Sequence, residues 1–246
     1  SGPTLGDVDN DGKPDIVVAN SGDGTVSLLQ NKSSGGDISF SPKTDYRTGN
    51  APQCAALGDL DGDGYVDLVV ANQLDNDIAV FRNVSTPGTL LIDSSFHTPV
   101  GSYPVNIVVC DLDGDRKLDL VVANRFGDGV SVLQNKSTTA LIILESKGGF
   151  SAGSRPNSLA AGDVDGDGKV DVVVASTGDG EISALANTSF SGAPQLAPPV
   201  KFKTGSNPLG IRVGDVDGDG LLDVVVVNNG ENSVSVFQNL TPPTNT

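Results

Sequence analysis

Short apolar runs recur along the chain between polar, glycine-rich turns, and they recur in step. The second repeat shows the unit most clearly. Pro52 to Gly58 (PQCAALG) reads as a short apolar strand. Asp67 to Asn72 (DLVVAN) reads as a second, and its continuous apolar run predicts burial on both faces. After a turn at Gln73 to Asn76, Asp77 to Asn83 (DIAVFRN) predicts a third strand, with Ile78 and Val80 alternating against Ala79 and Phe81. Beyond a turn around Pro87-Gly88, Thr89 to Ile92 and then Phe96 to Val100 predict a fourth, less regular strand. No stretch has helical periodicity.

The other units keep this order. Second strands are expected at Ile16 to Val18, Leu120 to Val122, Val172 to Val174 and Val224 to Val226. Third strands place Val26 and Leu28, Val130 and Val132, Ile182 and Ala184, and Val234 and Val236 at the same phase. Fourth-strand apolar positions recur as Phe40, Ile92, Leu144 and Leu196. Gly49, Gly101, Gly153 and Gly205 recur just before Pro52, Pro104, Pro156 and Pro208. Repeating units of this length with four short strands each are the signature of propeller blades, whose sheets bury both faces only by stacking. The fold expected is therefore all-β, a β-propeller of five four-stranded blades. The repeats run over about 1–48, 49–100, 101–152, 153–204 and 205–240 of one repeat domain, with a tail at 241–246. The first strand of repeat 1 is clipped to about Pro3–Gly6, and the last blade stops after its third strand.

Between the first and second strands of every unit lies the pattern D-x-D-x-D-x-x-x-D. Its first aspartates, Asp7, Asp59, Asp111, Asp163 and Asp215, are each 52 residues apart. Four carboxylates in a nine-residue turn bring together more negative charge than can stay unneutralised. Glycine at position 6 lets the backbone turn through positive φ, and the carbonyl of residue 7 can join the carboxylates around a cation. A cage of oxygens favours a hard ion, and its flexible, many-ligand form suits Ca²⁺ better than Mg²⁺. No histidine or cysteine recurs with the loop, so zinc is not expected. An EF-hand is excluded because the last aspartate stands at position 9 and a β-branched run follows it.

The motif G-D-[VL]-D-x-D-G-x-x-D-[ILV]-V-V-A-N, followed by V-S-V-[LF]-x-N, resembles the FG-GAP/VCBS repeats. These are the calcium-binding blades of integrin-α-like propellers and of many secreted bacterial surface proteins. The resemblance covers nearly the whole chain and implies one Ca²⁺ in each loop. The ligands it implies are Asp7, Asp9, Asp11 and Asp15; Asp59, Asp61, Asp63 and Asp67; Asp111, Asp113, Asp115 and Asp119; Asp163, Asp165, Asp167 and Asp171; and Asp215, Asp217, Asp219 and Asp223. The backbone carbonyls of Lys13, Tyr65, Lys117, Lys169 and Leu221 would complete the sites. Arg116 stands at the glycine position of loop 3, so the site at Asp111–Asp119 is expected to be the weakest of up to five. Members of the family often close the ring by pairing an N-terminal strand into the last blade, and no such strand is visible here. Either the last blade has three strands, or further sequence or a neighbouring chain completes the ring.

The formal charge is −16, and 20 of the 31 acidic residues lie in the five loops. Five bound Ca²⁺ would leave about −6, so the acidity is mainly metal-site charge and argues against a nucleic-acid partner. No run reaches the ~18 apolar residues of a membrane span. The chain begins without an initiating methionine or an apolar leader, which reads as a mature or excised piece of a longer product. Cys54 and Cys110 sit at different phases of the repeat and are expected to be buried thiols rather than a disulfide.

A second feature repeats. Asn31-Lys32-Ser33, Asn83-Val84-Ser85, Asn135-Lys136-Ser137, Asn187-Thr188-Ser189 and Asn239-Leu240-Thr241 are again 52 residues apart. Each has the N-glycosylation acceptor pattern, and each also suits a turn capped by Asn and Ser/Thr side chains.

No nucleophile–base–acid set is visible, and the single histidine, His97, has no repeated partner. The expected role is a non-enzymatic, secreted or cell-surface scaffold, rigidified by Ca²⁺, for adhesion or for binding a protein or glycan. Two alternatives stand beside it. Equal repeats and an incomplete last blade suit self-assembly of copies into a fibre or surface layer, with glycans coating it. The propeller could instead be part of a secreted polysaccharide-active enzyme, for which Arg212 and Tyr103 are the only hints.

Overall fold

A computed structural model describes residues 2–190 and 192–241; all but the first residue of the tail expected at 241–246 lies outside them. The chain folds into 19 strands and no helix among these residues. Sheet 1 holds β1 (Thr4–Gly6), β2 (Asp15–Asn20), β3 (Thr25–Leu29) and β4 (Thr44–Arg47). Sheet 2 holds β5 (Pro52–Gly58), β6 (Asp67–Asn72), β7 (Asp77–Asn83) and β8 (Ile92–Pro99). Sheet 3 holds β9 (Pro104–Cys110), β10 (Asp119–Asn124), β11 (Gly129–Asn135) and β12 (Leu144–Ser151). Sheet 4 holds β13 (Pro156–Gly162), β14 (Asp171–Ser176), β15 (Glu181–Leu185) and β16 (Val200–Lys203). Sheet 5 holds β17 (Pro208–Gly214), β18 (Asp223–Asn228) and β19 (Ser233–Phe237).

Each sheet is an antiparallel meander with its strands in chain order. The register repeats from sheet to sheet: Leu68 faces Phe81, Leu120 faces Leu133, Val172 faces Leu185 and Val224 faces Phe237. A one-residue slip would turn every apolar side chain to the wrong face, so the pattern itself holds the register.

The fourth strands depart from expectation. Phe40 and Leu196 form only isolated bridges, to Asn31 and Asn187, and β4 and β16 begin later, at Thr44 and Val200. Pro42 in one segment and Pro198-Pro199 in the other lack the N–H that a ladder needs. In sheets 2 and 3 no proline intervenes, and β8 and β12 start at Ile92 and Leu144. Thr89 pairs with Thr86 across the preceding turn instead of entering β8.

The sheets stack in sequence, and the core lies between them. Val17, Val26 and Leu28 of sheet 1 pack with Leu68, Val70, Ala79 and Phe81 of sheet 2. The other face of sheet 2, with Val69, Ala71, Ile78 and Val80, packs on Leu120, Val122 and Leu133 of sheet 3. Equivalent clusters join sheet 3 to sheet 4 and sheet 4 to sheet 5. This is why the apolar runs are continuous: every residue of β6, β10 and β14 is buried. The alternation in β7 separates two buried faces rather than a buried face from a wet one.

The first strands of successive units lie side by side and line a common cavity. Its lining includes Thr4, Cys54, Asn106, Leu159 and Arg212, one from each sheet. The strands are tied laterally: Thr4 Oγ1 donates to Ala55 O at 2.7 Å, and Leu159 N donates to Asn106 Oδ1 at 3.3 Å. Cys54 is buried here, Cys110 is half-buried, and both are free thiols. Burial pushes the Cys110 thiol up to about 12, with the charges of Asp119 and Asp111 adding to it.

The two end sheets each keep one face uncovered. Val236 of sheet 5 is 56% exposed, and Val227 and Val234 beside it are also exposed, whereas the corresponding Val132 of sheet 3 is 0% exposed. At the other end Leu5 is exposed. Val132→Ala should therefore lower the unfolding free energy by about 2 kcal/mol, combining lost burial with the cavity left behind. Val236→Ala should change it by under ~0.5 kcal/mol. Urea unfolding of the two variants checks this, and equal losses would contradict the uncovered face.

Candidate metal centres in the acidic loops

Each acidic loop joins the first two strands of its sheet and is built around its own carboxylates. Asp59 caps the turn of loop 2. Its Oδ1 accepts from Gly62 N (2.8 Å) and Asp63 N (3.1 Å), and its Oδ2 accepts from Gly64 N (2.9 Å). Asp7, Asp111, Asp163 and Asp215 likewise accept the position-6 N–H on Oδ2 in their loops. The turn needs left-handed backbone at two places: φ is 75° at Gly62 and 90° at Gly64. Position 4 was legible as Gly in four loops and Asn10 in the first, though sequence reasoning used only position 6. In loop 3, Arg116 takes φ 71° and its N still donates to Asp111 Oδ2 at 2.9 Å. Its side chain is exposed. The turn tolerates the substitution at the strain of a non-glycine residue in this region.

The third- and fifth-position carboxylates close smaller rings. Asp61 Oδ1 accepts from Asp63 N at 3.2 Å, and Asp63 Oδ1 accepts from Tyr65 N at 3.0 Å. The same ring orients Lys13, Lys117, Lys169 and Leu221, whose N–H groups are held by Asp11, Asp115, Asp167 and Asp219.

The ninth-position aspartates are clamps. Asp15, Asp67, Asp119, Asp171 and Asp223 are at most 1% exposed. One oxygen accepts the N–H of the loop's second residue, as Leu112 N to Asp119 Oδ2 at 3.0 Å. The other accepts the N–H of the asparagine after the third strand, as Asn135 N to Asp119 Oδ1 at 2.8 Å. Burial pushes Asp67 and Asp119 up to about 6; the two N–H bonds oppose it, and the neighbouring aspartates reinforce it. Asp15 and Asp171 are raised for the same leading reason. Asp223 in sheet 5 is lowered, because the N–H bonds from Asn239 and Val216 outweigh desolvation.

In every loop three carboxylates converge. The groups are Asp7, Asp9 and Asp15; Asp59, Asp61 and Asp67; Asp111, Asp113 and Asp115; Asp163, Asp165 and Asp171; and Asp215, Asp217 and Asp223, with one oxygen of each within 4.8 Å of the others. Of the four aspartates expected per loop, the fifth-position residue stands outside the triad in all but loop 3. Two unit charges that close repel by about 3 kcal/mol at an effective dielectric of 20. A purely oxygen donor set with this excess charge could hold a metal ion of hard character.

The repeated Asn-x-Ser/Thr motif is a staple. Asn135 Nδ2 donates to Leu118 O of its own loop (2.9 Å) and to Leu60 O of the preceding sheet's loop (2.8 Å). Asn83, Asn187 and Asn239 make the same pair of bonds, and Asn31 bonds Pro14 O. Their Oδ1 atoms accept from the residue two places on, as from Ser137 N at 2.8 Å. Asn83 and Asn135 are 0% exposed. The motif thus forms the capped turn, and at Asn83, Asn135 and Asn187 the amide nitrogen that a glycan would need is buried and already donates twice, whereas Asn31 donates once and Asn239 is half-buried. Sequence reasoning missed that these residues reach the previous sheet, 75 positions back.

His97 lies at the surface with Nδ1 2.9 Å from Asp77 Oδ2. Tyr103 packs on Phe126, with ring centroids 4.5 Å apart and far from the acidic loops in its sheet. Arg212 lines the central cavity and donates to Ile211 O at 2.7 Å. The structure does not gather these three into one site.

The model of the FG-GAP-like repeat matches four times in tandem, over residues 7–70, 59–122, 111–174 and 163–226. The chain belongs to the FG-GAP-like repeat family. No curated protein matches it. Among solved structures it is similar to BBS1N in complex with ARL6DN, with 15% identity, a TM-score of 0.59, and 92% of this chain covering 61% of that one. It is also similar to an Agrocybe aegerita lectin described as recognising non-reducing terminal N-acetylglucosamine, with 20% identity, a TM-score of 0.53, and coverage of 97% and 66%. A third is the V. cholerae biofilm matrix protein Bap1, with 22% identity, a TM-score of 0.52, and coverage of 99% and 38%. The chain spans less than two thirds of each of these, and the likeness is one of fold.

Asn135→Ala strips hydrogen bonds from two buried carbonyls and should cost about 2–4 kcal/mol, and Asn31→Ala, with one such bond, about half that. Denaturant midpoints of the two variants test this, and an unchanged Asn135→Ala midpoint would contradict the staple.

Proposed function

We propose that this chain is a non-enzymatic, calcium-stabilised β-propeller scaffold that works outside the cell in adhesion or ligand binding. The observation that carries the reading is the carboxylate triad, all-oxygen and at the same place in each of five sheets. A cation there offsets the mutual repulsion of three carboxylates and fixes the loop between the first two strands. Ca²⁺ suits a flexible, many-oxygen cage better than Mg²⁺, and extracellular Ca²⁺ modules work at ~10⁻⁴–10⁻³ M. The aspartates and the position-7 carbonyls named from the sequence are the ligands of this proposal. The partner in this reading is a protein or a glycan, which agrees with a lectin and a biofilm matrix protein among the structural neighbours. Among the described residues no helix is long and apolar enough to cross a membrane.

A second reading, self-association into a fibre, has one observation in its favour. Val216, Val227, Val234 and Val236 form an exposed apolar face on sheet 5, where every interior sheet is covered by the next. The first sheet of another copy carries the matching half of the interface that joins neighbouring sheets within the chain.

Thermal unfolding with Ca²⁺ and with excess EGTA, beside light scattering on the same samples, tests both. Ca²⁺ at 100 times its dissociation constant stabilises by ~2.7 kcal/mol per site, so a rise of several degrees in the midpoint is expected, with a monomer. The same rise with large polymers favours the fibre. No response to Ca²⁺ removes the metal reading.

A further inference from the structure

Resting on that metal reading, we infer that loop 2 carries its own cation, the guanidinium of Arg82, and is the weakest of the five loops for a divalent ion. The repeat places Gln30, Arg82, Gln134, Ala186 and Gln238 at one position, at the end of the third strand. Three are glutamines, and each donates a neutral amide to the outer oxygen of the loop's third-position carboxylate: Gln30 to Asp9, Gln134 to Asp113 and Gln238 to Asp217. Only sheet 2 puts a charge there.

Arg82 is held firmly. Its Nε lies 2.8 Å from Asp61 Oδ2, its Nη2 3.4 Å from Asp63 Oδ2 and its Nη1 3.5 Å from Asp93 Oδ2. The Arg82 side chain is only 17% exposed and that of Asp61 is 0% exposed. Asp61 Oδ2 also accepts from Ala140 N at 3.0 Å, and Asp61 Oδ1 accepts from Asp63 N at 3.2 Å. Both oxygens are engaged, as they are in Asp9, Asp113 and Asp217, but only in loop 2 is one of the donors a cation. A fixed positive charge on one member of the triad, Asp61, and on the fifth-position carboxylate beside it opposes a divalent ion directly, and its planar fork is not easily displaced. The lysines of loops 1 and 4 differ. Lys13 and Lys169 reach only the fifth-position carboxylates, Asp11 at 3.2 Å and Asp167 at 3.7 Å, and their side chains are 42% and 45% exposed. Arg116 of loop 3 alters the backbone turn while its side chain stays exposed, away from the role Arg82 takes. The ranking expected from the sequence, with loop 3 weakest, gives way to loop 2.

Loop 2 also contains its own reporter. Tyr65 is the only aromatic residue within the five loops, so tyrosine-sensitised Tb³⁺ emission reads loop 2. The experiment titrates the full chain and Arg82→Gln with Tb³⁺, following that emission, and counts total bound Tb³⁺ and Ca²⁺ by equilibrium dialysis. A Tyr65→Phe version of each protein confirms the source of the signal. The expected result is that the natural chain fills its other loops at concentrations at least about tenfold below those that bring up the tyrosine-sensitised emission. Arg82→Gln should bring the emission into the same range as the other loops and raise the count by one ion. If the variant does not fold, Asp59→Asn in the natural chain should leave the metal count unchanged, whereas Asp163→Asn, at the same place in its own triad, should lose one ion. Emission from the natural chain at the concentrations that fill the other loops, or a lost ion in Asp59→Asn, overturns the inference and leaves the metal reading standing. No bound ion in any loop overturns both.

Discussion

Each sheet depends on a carboxylate that is out of reach of water. Asp119 takes the N–H of Leu112 at the start of its loop and the N–H of Asn135 at the end of β11. One side chain thereby joins the loop, the head of the second strand and the turn after the third. The same three-way tie is made by Asp15, Asp67, Asp171 and Asp223. Burying a charge is costly unless it is well bonded, and these carboxylates meet the cost with two backbone donors each. That leaves a concentration of negative charge at one end of every sheet, which is where a cation could be held.

Stacking supplies what the single sheet lacks. A four-stranded meander with apolar residues on both faces cannot cover itself, so each sheet borrows its neighbours, and the asparagine staples set the spacing. Asn135 reaches Leu60 O and Asn187 reaches Leu112 O, so the loop of one sheet is held by the turn of the next. Loops that would hold ions are thus mechanically linked along the array. The uncovered faces of sheets 1 and 5 follow from the same logic, because each offers half of an interface that is complete everywhere else.

Identical repeats do not make identical sites. Loop 2 meets a guanidinium where loops 1, 3 and 5 meet a neutral amide and sheet 4 has Ala186. Loop 3 meets a backbone substitution, Arg116 at φ 71°, whose side chain is exposed. Departures from the repeat therefore matter by where their charge comes to rest, which the position of a residue within its motif does not reveal.

The sequence by itself determined the repeat length, the strands on either side of the acidic loop and the convergence of carboxylates within it. These rest on turn chemistry and apolar period, forces that act over a few residues: Asp67–Asn72 and Asp77–Asn83 form strands at the bounds read from their composition. Proline was legible too, and could have moved the start of β4 and β16 to their true places. Only the tertiary structure decided that Asn83 and Asn135 are buried staples rather than exposed acceptors, that Arg82 lies on Asp61 and Asp63, and which valines of sheet 5 stay wet. Each of these depends on a partner in another strand or another sheet, and such partners are fixed by stacking and register rather than by the residues next along the chain.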